Sequence, residues 1–217
     1  MYLNWNNKTI TDLSDENIKK LYDEGFLFTR TGKGEMYQTR SLRIDLSKFE
    51  LSSENRRVLR NTENISLEIT NIPYSNYHWG IHKLGKDFYS TKFGDKTFSA
   101  QKIKELITDK AKSNFNKLFI YRQKADNLAV GYAICLEKND LLHYCYPFYD
   151  LKAEIKNLGI GMMTKAIVWA QENNKKYIYL GSASRSADTY KLQFEGLEWW
   201  DGKNWQTNLV KLKAEIK

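Results

Sequence analysis

Lys156-Asn157-Leu158-Gly159-Ile160-Gly161-Met162 is the stretch on which the fold turns. It stands after two apolar, β-rich runs, Leu128 to Leu136 and Leu141 to Phe148. An amphipathic run from about Ile160 to Asn173 follows, carrying Ile167, Val168 and Trp169. Glycine lets a main chain come close to a ligand, and the start of a helix offers N–H donors and partial positive charge. Between strand and helix, the pair Gly159 and Gly161 therefore reads as a cradle for an anionic tail, with Lys156 beside it. The plainer reading is a glycine-softened connection.

Working outward, Leu118 to Arg122 adds a third strand before the turn. Tyr177 to Leu180 adds a strand after it, then a short helix around Ala187 to Phe194 and a last apolar strand region. Toward the N-terminus, Ser14 is placed to cap a helix that begins Asp15-Glu16 and closes at Gly25. Phe26 to Arg30 and Met36 to Leu46 flank Thr31-Gly32-Lys33-Gly34 as a hairpin, and Ser52 or Ser53 caps a basic helix. Residues 62 to 98 read as an irregular connection around Pro73 and Trp79, and Ser99 opens a helix through Ile103, Leu106 and Ile107. The expected class is α/β (α+β), a mixed central sheet flanked by helices with a smaller N-terminal helix-hairpin-helix region. The division is drawn at residues 1–65 and 66–217.

Composition narrows the function classes. The hydrophobic fraction of 41% and the presence of only two prolines belong to a folded chain. No run approaches the roughly 18 apolar residues that cross a bilayer, so a cytoplasmic protein without a membrane partner is expected. Cys135 and Cys145 lie in apolar runs, and His78, His82 and His143 show no metal spacing, so no metal site is expected. The formal charge of +8 favours phosphate-rich partners.

The run from Lys156 to Gly161 resembles the R/Q-x-x-G-x-G/A turn with which GNAT acetyltransferases grip coenzyme A, with Lys156 in place of the usual Arg or Gln. Ala187 to Leu197 resembles the A-x-x-Y-x-x-x-G-F helix of that superfamily. The resemblance implies a GNAT-like fold and makes Tyr190 the candidate general acid. A phenol with a pKa near 10 can donate a proton at neutral pH. A tyrosine packed on the core with its hydroxyl at the rim is the alternative.

A closer resemblance covers most of residues 20 to 205. Gly25-Phe26, Arg30, Gly32, Tyr37, Leu42-Arg43-Ile44, Phe49, Ser52, Asn55-Arg56-Arg57 and Arg60-Asn61 look like the opening of arginyl- and leucyl-tRNA-protein transferases. Pro147-Phe148-Tyr149-Asp150, Tyr177-Ile178-Tyr179-Leu180-Gly181, Tyr190-Lys191, Phe194, Leu197-Glu198, Asp201-Gly202 and Trp205 look like their second half. The family's N-terminal cysteine cluster is absent, and Ser182-Ala183-Ser184-Arg185-Ser186 replaces its aromatic stretch.

That resemblance implies transfer of an amino acid of the arginine or leucine class, from aminoacyl-tRNA to the N-terminal amine of an acceptor protein or peptide. Such transfer (protein arginylation or leucylation) marks an N-degron. No cofactor is then needed, aminoacyl-tRNA being the cosubstrate. Acetyl-CoA, serving an amine N-acetyltransferase, is the alternative donor. Arg56, Arg57 and Arg60 are the candidate tRNA contacts, because guanidinium forks suit closely spaced phosphates. A solvated helix face is the other reading. Asp150 and Glu198 are the candidate proton acceptors, against a loop cap or a surface carboxylate.

Overall fold

The computed structural model describes residues 3–216. Along the chain come β1 (Asn6–Thr9), α1 (Asp15–Asp23), β2 (Phe26–Phe28), β3 (Glu35–Gln38), β4 (Ser41–Asp45) and α2 (Ser53–Asn61). Next are β5 (Ile65–Asn71), α3 (Trp79–Phe93), α4 (Ala100–Thr108), β6 (Lys117–Gln123), β7 (Ala129–Glu137) and β8 (Leu141–Tyr149). The chain continues with α5 (Leu158–Glu172), β9 (Tyr177–Ser182), a 3-10 helix (Ser186–Gln193), β10 (Leu197–Trp200), β11 (Trp205–Gln206) and α6 (Leu209–Glu215). Two compact units result. The first takes residues up to Asn55, Lys138–His143 and Ile167 onward; the second takes Arg56–Glu137 and Tyr144–Ala166.

In the first unit the strand order is β11-β10-β4-β9-β8, with a separate sheet β1-β3-β2. Strand β4 runs antiparallel to both β10 and β9, whereas β9 pairs in parallel with Leu141, Leu142 and His143 of β8. The core here is aromatic, with Trp199, Tyr22, Tyr179 and Phe26 all within 2% of full burial. Ser14 caps α1 as expected, its hydroxyl accepting from the Asn17 N–H. The helix then drives Ile18, Leu21 and Tyr22 into the core. The expected hairpin is β2 and β3, joined in register from Phe26↔Gln38 to Phe28↔Met36.

In the second unit the order is β8-β7-β6-β5, antiparallel from β5 through β7. Leu118, Phe119, Ile120 and Tyr121 of β6 are fully buried. Continuous apolar runs of this kind belong to strands covered on both faces. The Ser52 hydroxyl accepts from the Asn55 N–H and so opens α2, and Ser99 does the same for α4 through Lys102. The stretch 62 to 98 departs from its reading as an irregular connection, for it holds the seven-residue β5 and the fifteen-residue α3. The last apolar region, read as strand, also contains α6. No helix among the described residues is long and apolar enough to cross a membrane.

Candidate functional site

The glycine turn lies in the second unit. Asn157 has φ 64°, a left-handed conformation that asparagine tolerates, and it reverses the chain into α5. The Leu158 N–H reaches the Ile155 carbonyl at 3.3 Å, and the Gly161 N–H makes the first helical bond to the Asn157 carbonyl at 2.8 Å. By their place in the first turn, the N–H groups of Gly159 and Ile160 have no acceptor within the helix. Both residues are half-buried and Lys156 is exposed, so the turn is accessible.

The two glycines also answer to packing. A Cβ on Gly161 would lie 2.5 Å from Thr62 Cγ2 and 2.7 Å from Thr62 Oγ1, and one on Gly159 would lie 2.8 Å from the Tyr149 ring. Gly161 therefore lets α5 close on the end of α2, and Gly159 lets it close on Tyr149. That phenol stacks at a tilt on Phe88, with centroids 4.8 Å apart, and burial raises its pKa.

Asp150 follows β8 as a loop cap. Its Oδ1 accepts from the Lys152 N–H at 2.9 Å and its own N–H donates to the Val130 carbonyl at 2.9 Å. On α2, Val58 is buried while Arg56, Arg57 and Arg60 are exposed. Arg56 and Arg60 share one face at a spacing of four, and Arg57 lies one turn before Arg60 at a spacing of three.

Tyr190 and Glu198 belong to the first unit. Strand β9 ends through Gly181, φ 78°, in the segment Ser182 to Arg185, which the 3-10 helix pins. Asp188 Oδ2 accepts from the N–H groups of Ser184 and Arg185, each at 3.1 Å, and Lys191 Nζ donates to the Ser182 carbonyl at 2.9 Å. The two side chains are 3.6 Å apart and almost fully covered. Burial lowers the Lys191 pKa against the opposing pull of Asp188. For Asp188, burial raises the pKa, and the nearby ammonium and N–H groups more than offset it. Between them in sequence, Tyr190 is 44% exposed.

Glu198 is buried. Its Oε2 accepts from Arg43 Nε at 2.8 Å and its Oε1 lies 3.6 Å from Lys48 Nζ. The Arg43 guanidinium also meets Asp23 at 3.1 Å and lies between the rings of Tyr177 and Trp205, 3.9 Å from each centroid. Two cations thus pair with Glu198. Nearby on β8, His143 Nδ1 meets the Tyr22 hydroxyl at 2.8 Å. Burial, with a smaller contribution from Lys191, lowers the His143 pKa to about 3.

The candidates thus fall into a group in each unit: Tyr190 with Glu198, and Lys156, Gly159 and Gly161 with Asp150, Arg56, Arg57 and Arg60. Sequence reasoning did not single out Tyr149, Arg43 or Lys191. Each lay inside a quoted motif, Pro147 to Asp150, Leu42-Arg43-Ile44 and Tyr190-Lys191, and the polar residues of those motifs were the available signal.

Among solved structures, L-PGS from Bacillus licheniformis superposes with a TM-score of 0.52 at 12% identity, over 93% of this chain and 70% of that one. A GCN5-related glucosamine N-acetyltransferase region of a fungal multi-domain GH3 beta-N-acetylglucosaminidase gives 0.52 at 10% identity, over 92% of this chain and 23% of that one. The fold is therefore that of the GNAT-like transferases, as expected.

The family described as arginine-tRNA-protein transferase, C terminus, matches residues 73–201, well over half of the chain. The chain belongs to that family and is by class an aminoacyltransferase. The aspartate/glutamate leucyltransferase of Saccharophagus degradans is 20% identical over 169 residues, 76% of this chain and 70% of the relative. The one from Xylella fastidiosa (strain M12) is 30% identical over 98 residues, 42% of this chain and 39% of the relative.

Proposed function

We propose that this protein moves an amino acid of the leucine or arginine class from charged tRNA to the N-terminal amine of a protein or peptide, marking it as an N-degron in the cytoplasm. One observation carries the reading: the family-matched stretch 73–201 takes in both the accessible start of α5 and the pinned turn that presents Tyr190. The names of the two relatives support leucine as the transferred group.

In this reading the deprotonated amine attacks the carbonyl carbon of the aminoacyl ester. A C–N bond forms, the C–O bond to the ribose breaks, and the leaving oxygen takes a proton from Tyr190. The nitrogen sheds its proton to water, and the phenolate is reprotonated from solvent. Glu198, committed to Arg43 and Lys48, serves the fold. Holding ester and amine in attack geometry supplies the largest share of the acceleration. No cofactor enters this scheme. The acetyl-CoA reading draws on the unpaired N–H groups of Gly159 and Ile160 beside Lys156.

The test incubates the protein with labelled leucyl- and arginyl-tRNA and with peptides of varied N-terminal residue, and reads mass increments. Addition of one aminoacyl residue is expected, and Tyr190→Phe, at an exposed position, should lower kcat by about 100-fold or more. Amine-dependent thiol release from acetyl-CoA, with no transfer from any charged tRNA, would overturn the tRNA reading.

A further inference from the structure

The half-buried lysines of the second unit are not all neutralised alike. Lys102 sits on Glu105, and Lys117 lies 3.2 Å from Glu137. Lys165 differs. It is half-buried on α5, one turn beyond Gly161 and on the face that meets Thr62. Lys124 follows β6, and its N–H donates at 2.8 Å to the carbonyl of Asn64, two residues after Thr62. These two tethers set the backbone of Lys124 and the Gly161 end of α5 against the same segment, Thr62 to Asn64. Burial, and secondarily the charge of Lys124, lowers the Lys165 pKa.

Among the described residues neither ammonium group has a hydrogen bond or an ion pair. Glu63, the nearest carboxylate in the connecting segment, is exposed and pairs with neither. Asn61, beside Thr62, keeps its Nδ2 buried without an acceptor, and among the described residues Arg60 has no ion pair. Two clustered cations, one of them partly desolvated, are unfavourable until an anion joins them. Phosphate carries the charge and the acceptor oxygens to do so.

We propose that Lys124 and Lys165 form a phosphate site that takes a backbone phosphate of RNA and extends the arginine face of α2. That the phosphate comes from RNA rests on the aminoacyl-tRNA reading; the phosphate chemistry does not.

Uncharged tRNA binding to the protein, followed by fluorescence anisotropy over a salt series, tests the site. The double variant Lys124→Gln/Lys165→Gln should raise the Kd by about ten-fold or more at low salt. It should also flatten the log–log salt slope by about 0.7 to 0.9, the change for one lost phosphate contact. Its melting temperature should hold or rise, since a like-charge pair is removed, and Lys165→Arg should retain binding.

A Kd and slope equal to wild type would overturn the RNA assignment. A second arm uses inorganic pyrophosphate and thermal shift. If the protein binds no tRNA, yet pyrophosphate raises the melting temperature of wild type and not of the double variant, the transfer reading fails and the phosphate site stands. If pyrophosphate binding needs the lysines and tRNA binding does not, the ligand is a free phosphate compound and not RNA. If neither ligand responds to the lysines, the site itself is overturned.

Discussion

His143 shows how a single buried residue sets a pH limit. Its imidazole ordinarily titrates near 6.5, and burial against Tyr22, with Lys191 nearby, holds the folded value at about 3. Between those values the unfolded chain binds a proton that the folded chain refuses. The stability due to neutral His143 is therefore complete above about pH 6.5 and falls as pH drops toward 3, by about 1.4 kcal/mol per pH unit at most. Urea midpoints measured from pH 7.5 to 4.5 should decline less steeply for His143→Gln than for wild type, because both share every other titrating group. Equal slopes would show that the imidazole is charged inside the fold.

Single residues also mark where sequence reading stops. The Tyr190-Lys191 motif located the exposed phenol, yet nothing in its spacing shows that the lysine turns inward to the Ser182 carbonyl. Glu198 was legible as the carboxylate of the Leu197-Glu198 motif. Its partner Arg43 lies 155 positions earlier and joins it only because β10 pairs with β4.

At the scale of elements, the start of α5 depends on the absence of a single methyl group. Gly161→Ala would press a Cβ on the Thr62 side chain, and overpacking at a fixed contact costs about 1–3 kcal/mol. Thr62→Ala should recover most of that loss in the double variant, so a double-mutant cycle in urea should give a large coupling energy. Additive losses would mean that the two helices do not meet at this point.

Helices that announce themselves by a serine cap were legible, as Ser14, Ser52 and Ser99 each make the bond expected of them. Helix α3 was not. Its N-cap His78 makes no side-chain cap bond, and it carries Gly85, which weakens any helical reading. That glycine belongs there because the Ile103 side chain of α4 occupies the space a Cβ would need. Strand β1 was hidden for the opposite reason: Asn6 to Thr9 is exposed throughout and is a strand only through its pairing with β3. Such tertiary causes leave no local periodicity to read.

Over the whole molecule, the architecture is kept at 10 and 12% identity to the two solved structures, so the order of elements and their apolar faces carry it, far more than particular side chains. The charge of +8 is equally collective, and only local clusters such as the α2 arginines and the Lys124 and Lys165 pair give it an address. Each compact unit is stitched from separated stretches, the chain passing between them after Asn55, Glu137, His143 and Ala166. Strand β8 and helix α5 each contribute to both. Neither unit therefore corresponds to one uninterrupted block of gene. Recombination with a single crossover cannot exchange either intact, so the two halves of this catalyst are bound to be inherited, and to diversify, together.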